Sequence, residues 1–379
     1  MQEDDIRQLL EKYRNGQANE EEIALLETWY LQWRNEPFPI SPDELEETKF
    51  EVWETISQKH SSGFSRTRWF AAASILLFIA AGFYYFARQP AEIKADNHFV
   101  INQHAKDLKP GGNRALLTLA GGKKIVLNNV QNGRVSIQGS ALVSKTSEGN
   151  LSYINRNDDA TNGDHLMNTL STPRGGQYHL ALVDGTQVWL NAASSITFPV
   201  RFDKGDRVVT ITGEVYFEVA HKTNNQVFKV IAGKQEITVL GTRFNVRNYD
   251  DDKSLSTTLL SGSVHIKNIT TGKAATLTPG QEARILKADD QFTIRQVNPE
   301  NAICWKNGYF LFDKQGIESI MSIMSRWYDV DVAYQGQISK DRFGGTFSRS
   351  ANLSEILKNL EILGNVHFKI ISNKVIVTE

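Results

Sequence analysis

The uninterrupted apolar stretch at residues 69–87, WFAAASILLFIAAGFYYFA, constrains this chain more than any other feature. A helix needs ~20 apolar residues to cross the hydrocarbon core of a bilayer, and no residue of this stretch is charged. Arg66 and Arg68 precede it, Arg88 follows it, and aromatic residues lie near both ends, as is typical of a membrane span. A cleaved signal peptide would begin close to Met1, whereas this apolar stretch begins only at residue 69 and should therefore remain in the mature protein. The sequence therefore predicts a single transmembrane helix at residues 66–88.

The segment before this stretch is strongly acidic. Residues 1–60 carry fifteen Asp and Glu against six Lys and Arg. Phosphate backbones repel such a segment, so we expect no direct nucleic-acid binding, whereas a basic protein partner would suit it. Apolar residues recur at helical spacing, as at Ile6, Leu9, Leu10 and Tyr13, which predicts a small helical domain at residues 1–65. The slight excess of basic residues before the span favours a cytoplasmic N-terminus.

Beyond a juxtamembrane connector at residues 89–113, the apolar period changes to two. LTLAGGKKIVLN at 117–128 and LALVDGTQVWLN at 180–191 read as related hairpins, the second with the Asp184-Gly185 turn. Further short strands follow, including separate ones at 207–211 and 214–219, while the Ser-rich and Asn-rich residues 144–168 predict a long loop. An all-β sandwich or roll is expected over residues 114–298.

Residues 299–379 alternate between strands and helices. Helices are predicted at 317–327 and 353–363, the second capped by Asn352, and strands lie on either side of each. The expected result is a small α+β domain with two βαβ-like units, in which both helices pack on one sheet. The predicted fold class of the whole chain is thus multidomain α plus β: a small helical N-terminal domain, one transmembrane helix, an all-β domain and a C-terminal α+β domain.

Motifs for catalysis are almost absent from the sequence. The eight histidines are scattered, Cys304 is the only cysteine, and no phosphate loop, dinucleotide fingerprint or nucleophile elbow occurs, so no enzyme class, cofactor or metal is predicted. One dipeptide is of interest. In VLGTRFNV, the Thr242 hydroxyl could attack the carbonyl of Gly241 if the backbone were held strained, although a turn at the edge of a strand is the simpler interpretation.

Residues 171–286 carry a resemblance to a known family. The runs STPRGGQYHLALVDGTQVWLNAASSITFPVRF, RVVTITGEVYFEVA, VLGTRFNV, TTLLSGSV and LTPGQEA resemble the FecR family of sigma-factor regulators, so residues 114–298 are expected to be a FecR-like domain. The later runs WKNGYFLFDK, IMSRWYDVDVAY and FGGTF look like the domain that often follows, similar to the short N-terminal module of secretins and TonB-dependent receptors.

This resemblance implies an anti-sigma factor that relays a signal across the inner membrane. In the family, the N-terminal segment is cytoplasmic and binds an extracytoplasmic-function sigma factor, while the periplasmic regions meet the signalling domain of an outer-membrane TonB-dependent transporter. It also raises the expectation that the Gly241–Thr242 bond is nicked by an N-to-O acyl shift, as in some members. The residues expected to bind the sigma factor are Leu9, Leu10, Tyr13, Leu26, Trp29 and Trp33.

The alternative is a membrane-anchored periplasmic binding or envelope-assembly module, for which the acidic N-terminal segment would be dispensable. The sequence names neither the inducing ligand nor the sigma factor. It also leaves open whether the chain inhibits or activates that factor, whether it is nicked, and its oligomeric state.

Overall fold

The computed structural model describes Lys12 and residues 107–155, 166–202, 205–222, 226–288 and 290–379. From residue 107 onward these belong to one compact unit, which is mainly β and contains only two α-helices within its described residues. The predicted multidomain α plus β fold class is therefore wrong. The period-two pattern that spans most of this region dominates the fold, and the two helices are a minor layer. Apart from Lys12, the segments predicted as a helical domain and a transmembrane helix lie outside the described residues.

Short antiparallel strands joined by tight turns make up most of the unit. In chain order, the strands are β1 (Gly112–Asn113), β2 (Leu116–Thr118), β3 (Lys124–Val126), β4 (Gly133–Gln138), β5 (Ala141–Ser147), β6 (Asn150–Asn155), β7 (Met167–Thr172), β8 (Gly176–Ala181), β9 (Gln187–Leu190), β10 (Ser194–Pro199), β11 (Arg207–Glu218), β12 (Phe228–Ala232), β13 (Gln235–Val239), β14 (Arg243–Asn248), β15 (Ser254–Ser261), β16 (Val264–Asn268), β17 (Ala274–Leu277), β18 (Gln281–Leu286), β19 (Phe292–Gln296), β20 (Tyr309–Gly316), β21 (Asp331–Tyr334), β22 (Arg342–Ser348), β23 (His367–Ile371) and β24 (Lys374–Thr378). The helices are α1 (Ile317–Tyr328) and α2 (Leu353–Leu363), and 3-10 turns occupy Leu127–Asn129 and Pro299–Ile303. Both related hairpins, β2–β3 and β8–β9, form as predicted.

Strands β2 to β19 form two sheets that share one strand. The first sheet has the order β3-β2-β7-β10-β11-β12-β13-β16-β17. The second has the order β4-β5-β6-β8-β9-β11-β14-β15-β18-β19. Alternate residues of both sheets point inward and form one apolar core, which includes Leu117, Leu170, Phe217 and Phe244. The two sheets thus form a sandwich, one of the two all-β arrangements that the alternating pattern predicts.

Strand β11 is the shared strand. The sequence predicts two strands separated at Gly213, but the structure has one continuous strand there. Its first half pairs with β12, its second half pairs with β14, and Gly213 adopts φ +76° where the strand crosses between sheets. A Cβ on Gly213 would lie 2.6 Å from the carbonyl oxygen of Ala193, so no other residue fits there. The sequence pattern predicts a turn at Gly213, but this glycine bends one continuous strand.

The region 144–168 is also more ordered than a single long loop. The hairpin of strands β5 and β6 extends into it as far as Asn155, and residues 156–165 lie outside the described residues. Lys145 explains part of this order, because its buried ammonium donates to the carbonyl oxygens of Leu127 and Val130 at 3.1 and 2.8 Å and pairs with Glu148 at 3.1 Å.

The C-terminal residues form a helical layer over two small sheets, where one sheet was predicted. Strands β20 and β22 form one antiparallel pair, and β21, β24 and β23 form a separate three-stranded sheet. Helix α1 buries Ile317, Ile320, Met321 and Met324, which lie on one face at helical spacing, and it ends at Asp329 in the left-handed region. Both helices contribute to one core with Phe343 and the inner faces of the two sheets.

Helix α2 has the predicted bounds, but its start is stabilised from elsewhere. The Asn352 side chain makes no capping hydrogen bond. Asp107 instead accepts from the Ser354 amide at 3.4 Å and from the Ser354 hydroxyl at 2.6 Å. The end of the predicted connector thus anchors the C-terminal layer. No helix in the described part of the chain is long and apolar enough to span a bilayer, and residues 69–87 lie outside that part.

Candidate functional site

The Gly241–Thr242 dipeptide forms a bend between β13 and β14, which we call the Gly-Thr bend. Thr242 is only 4% exposed. Its hydroxyl donates to the carbonyl oxygen of Ser263 at 3.0 Å, and its own carbonyl oxygen accepts from the Val219 amide at 3.0 Å. The threonine is therefore held through both its side chain and its backbone, in a protected position rather than on a loose turn.

Two glycines allow close packing around the bend. Gly262 has φ +94°, and a Cβ there would lie 2.9 Å from the Thr242 hydroxyl oxygen and 3.1 Å from the Gly241 carbonyl oxygen. A Cβ on Gly241 itself would lie 2.9 Å from the Cβ of His221. Side chains at either position would have to displace neighbouring groups, so the local geometry depends on both glycines.

A buried ion pair lies beside the bend. Arg207 is fully buried and donates to Asp184 Oδ2 at 2.7 Å. The same guanidinium donates to the carbonyl oxygens of Ala220, Gln226 and Leu240 at 2.9, 2.7 and 3.4 Å. Sequence reasoning missed this pair because the local pattern marks Asp184 only as a turn residue and Arg207 only as the start of a strand. No local signal links two residues on separate elements.

The sandwich meets the C-terminal layer along a polar contact that we call the seam. Arg326 of α1 donates to Asp251 at 2.7 Å and to Asp252 at 3.4 Å, and its guanidinium lies 4.0 Å from the centroid of the Tyr249 ring. Arg247 also binds Asp252, at 2.6 Å. The acidic loop at 250–252, which the sequence pattern marks only as a charged turn, thus anchors α1.

A second part of the seam is a buried charge pair bridged by an amide. Asn191 accepts from Arg349 at 2.9 Å through its oxygen and donates to Glu214 at 2.9 Å through its nitrogen. The Arg349 guanidinium lies 3.7 Å from the Trp327 ring centroid, and the Trp327 indole donates to the Arg349 carbonyl oxygen at 2.9 Å. These groups line a cavity of about 20 Å³, enough for about one water molecule.

Arg174 closes the edge of the seam. It donates to the carbonyl oxygens of Ser325, in the last turn of α1, and of Val330, just after the helix, and it pairs with Asp329 at 3.3 Å. The neighbouring Gly175 amide donates to the Arg326 carbonyl oxygen at 2.7 Å. The PRGG run at residues 173–176 therefore lies against the end of α1, where Gly175 binds one of the last helix carbonyls.

Burial and ion pairing shift several pKa values at the seam. Burial lowers the pKa of Arg349 to about 10, so the guanidinium remains charged at neutral pH. Burial alone would raise the pKa of Asp252, but Arg247 and Arg326 hold it below its usual value. Burial also raises the pKa of Tyr249, whose hydroxyl donates to the Ala192 carbonyl oxygen at 2.8 Å. At physiological pH the seam therefore keeps Arg349 and Asp252 charged and Tyr249 neutral.

Thr242 offers a hydroxyl next to a peptide carbonyl, and the described residues contain no cluster of three or more metal-ligating side chains. Gly241 and Thr242 lie beside buried polar groups that hold the bend in place. The residues expected to bind a sigma factor, Leu9, Leu10, Tyr13, Leu26, Trp29 and Trp33, lie outside the described residues.

Comparisons with known proteins match the sandwich and the C-terminal layer to two separate family models. Residues 168–265 match the family described as FecR protein, and residues 309–377 match the family described as FecR, C-terminal. A Parabacteroides distasonis protein described as an anti-sigma factor, with structures at 1.65 and 2.50 Å resolution, shares the fold with a TM-score of 0.52 in both and 20% identity. The matches cover 55% and 56% of this chain and 97% and 99% of those structures. No curated protein matches the chain. Two FecR family models thus match separate parts of the chain, and the Parabacteroides distasonis structures are similar to it in fold.

Proposed function

We propose that this FecR-type chain is a membrane-anchored regulator that carries a signal from an outer-membrane TonB-dependent transporter to a cytoplasmic extracytoplasmic-function sigma factor. The observation that carries the proposal is that both FecR matches lie in one compact unit, joined by the seam. Residues 299–379 would meet the transporter's signalling domain, and residues 114–298 would connect that domain to the membrane. The acidic residues 1–65 would bind the basic sigma factor.

The proposed location is the inner membrane, with the apolar residues 69–87 as the anchor. The N-terminus would be cytoplasmic and residues 89–379 periplasmic, in keeping with the basic residues that precede the apolar stretch. Protease added to intact spheroplasts should digest residues 114–379 and spare the N-terminal segment. Loss of the N-terminal segment with survival of the remainder would reverse the topology and contradict the proposal.

Direct binding of a sigma factor is the central test. The full-length chain should co-purify with an extracytoplasmic-function sigma factor of the same cell, and replacing Leu26, Trp29 and Trp33 together by alanine should abolish this. A matched control replaces Leu45 and Val52, two apolar residues from the same acidic segment that are not expected to contact the partner. If the triple variant still bound the sigma factor, and neither variant altered transcription, the result would favour a binding or assembly module instead.

We further propose that the Gly-Thr bend undergoes self-nicking. The Thr242 hydroxyl oxygen would attack the Gly241 carbonyl carbon, a C–O bond would form, and the peptide C–N bond would break as the hydroxyl proton passes to the leaving amine. Water would then hydrolyse the ester, leaving residues 1–241 and 242–379. What supports this is the buried, doubly held threonine and the absence of side chains at Gly241 and Gly262.

The nicking test compares three full-length chains on denaturing gels and by intact mass. The parent should give two fragments, Thr242→Ala should remain one chain, and Thr278→Ala, at an exposed threonine in the turn before β18, should behave as the parent. A parent that remains one chain, indistinguishable from Thr242→Ala, would refute self-nicking while leaving sigma-factor binding untouched.

A further inference from the structure

We infer that the buried Asp184–Arg207 pair positions the Gly-Thr bend for nicking, an inference that rests on the proposed self-nicking. Arg207 is 0% exposed, and its side chain serves four oxygen acceptors: Asp184 Oδ2 and three backbone carbonyls. Burying a cation such as this guanidinium has a large desolvation penalty, so stability alone is a weak reason for its presence. The identity of its acceptors indicates what the guanidinium holds in place.

Two of the acceptors are on chain segments that meet at the bend. Leu240, whose carbonyl oxygen lies 3.4 Å from the guanidinium, directly precedes Gly241. Ala220, whose carbonyl oxygen lies at 2.9 Å, directly precedes His221, the residue whose Cβ packs against Gly241. One side chain therefore ties together the peptide that enters the bend and the segment that covers it.

Asp184 extends the same arrangement through a threonine. Its carboxylate accepts from the Thr186 amide at 3.0 Å and from the Thr186 hydroxyl at 2.8 Å. The Thr186 hydroxyl oxygen in turn accepts from the Ala220 amide at 3.2 Å. Both the N–H and the C=O of Ala220 are thus fixed by this ion pair or by the threonine attached to it.

The other side of the nicked bond has a side-chain contact, to Ser263, that Arg207 does not share. The Thr242 carbonyl oxygen is bound by the Val219 amide, and its hydroxyl is bound to Ser263. Removing Arg207 would therefore free the Leu240 side of the bond while leaving the attacking hydroxyl in place. An intramolecular attack is sensitive to such a change, because a displacement of about 1 Å costs on the order of 100-fold in rate.

The test measures the nicking rate of newly synthesised full-length chain in membranes. Arg207→Met combined with Asp184→Asn removes the pair without leaving one buried charge, and should slow nicking by about 10- to 100-fold. Arg207→Lys keeps the charge but loses the planar fork, so it should give an intermediate rate and provides a milder variant if the double variant does not fold. The matched control is Lys145→Met, because Lys145 is another buried cation bound to two backbone carbonyls, far along the chain from the bend.

The comparison is made at equal stability, with unfolding midpoints in urea measured for every variant. Slower nicking in the Arg207 variants, with a parent-like rate in Lys145→Met at a similar midpoint, supports the positioning role. Parent-like nicking in the Arg207 variants, or equal slowing in Lys145→Met, overturns it while self-nicking stands. An uncut parent overturns both proposals together.

Discussion

Replacing Arg349 by methionine would test whether the seam depends on its bridged charge pair. The variant keeps most of the side-chain volume but removes the guanidinium that binds Asn191 and covers Trp327. Glu214, 6% exposed, would then keep hydrogen bonds only from the neutral amides of Asn191 and Asn245, and its charge would interact with Arg247 but no longer with Arg349. The structure predicts a large loss of stability from this single change.

The magnitude follows from the interactions that the substitution removes. A hydrogen bond to a charged group contributes about 1.5–3 kcal/mol, and a desolvated cation–π interaction contributes about 2 kcal/mol. Breaking a buried pair while one charge remains costs about 3–5 kcal/mol, which agrees with their sum. We therefore expect Arg349→Met to lower the free energy of unfolding by about 3–5 kcal/mol. Adding Glu214→Gln should recover about 1–3 kcal/mol of it, because the buried carboxylate that has lost Arg349 is then replaced by a neutral amide.

The assay is urea unfolding of the full-length chain in detergent, followed by tryptophan fluorescence and far-ultraviolet circular dichroism. Arg174→Met is the control, since that side chain is 38% exposed at the seam's edge and should contribute only about 0–1 kcal/mol. A loss below about 1 kcal/mol in Arg349→Met, or losses that simply add in the double variant, would refute the reasoning.

Three further predictions address other parts of the structure. Because the pKa of Asp252 is lower in the folded protein than in the unfolded chain, its carboxylate stabilises the fold above about pH 4 and loses this effect as the pH falls. Asp252→Asn should therefore be less stable than the parent at pH 7. In unfolding curves measured at acid pH, this difference in stability should disappear. Gly241→Ala should destabilise by about 1–3 kcal/mol through its contact with His221, measured by thermal unfolding, whereas Gly121→Ala, in open space, should have little effect. Asp107→Ala should cost about 1 kcal/mol and increase hydrogen exchange in the first turn of α2; unchanged exchange there would contradict the capping role.

The sequence predicted the parts of this fold that depend on local patterns. Alternating apolar residues and tight turns were enough to place the β2–β3 and β8–β9 hairpins, and helical spacing located α1 and α2. Each of these signals lies within a few residues of chain. The same local reasoning failed at Gly213, because a positive φ angle is required both by a turn and by a bent continuous strand.

Interactions between distant residues could not be predicted in this way. Arg349 and Asn191 are 158 residues apart, and Arg326 lies 75 residues from Asp251, so nothing in either local sequence identifies the partner. The α plus β fold class failed for a related reason: the sequence indicated two helices but not that their strands form two small sheets within the same compact unit as the sandwich. The sequence identified the Gly241–Thr242 dipeptide, but it did not identify the buried Asp184–Arg207 pair beside it.

The continuity of β11 restricts how the sandwich can deform. Arg207 at its start belongs to one sheet and Glu218 at its end to the other, so one sheet cannot slide over the other without bending this strand. Opening about a hinge at Gly213 is the softer motion, since rotation there changes only backbone dihedral angles. A mechanical load from the C-terminal layer, entering through Glu214, would act one residue from that hinge.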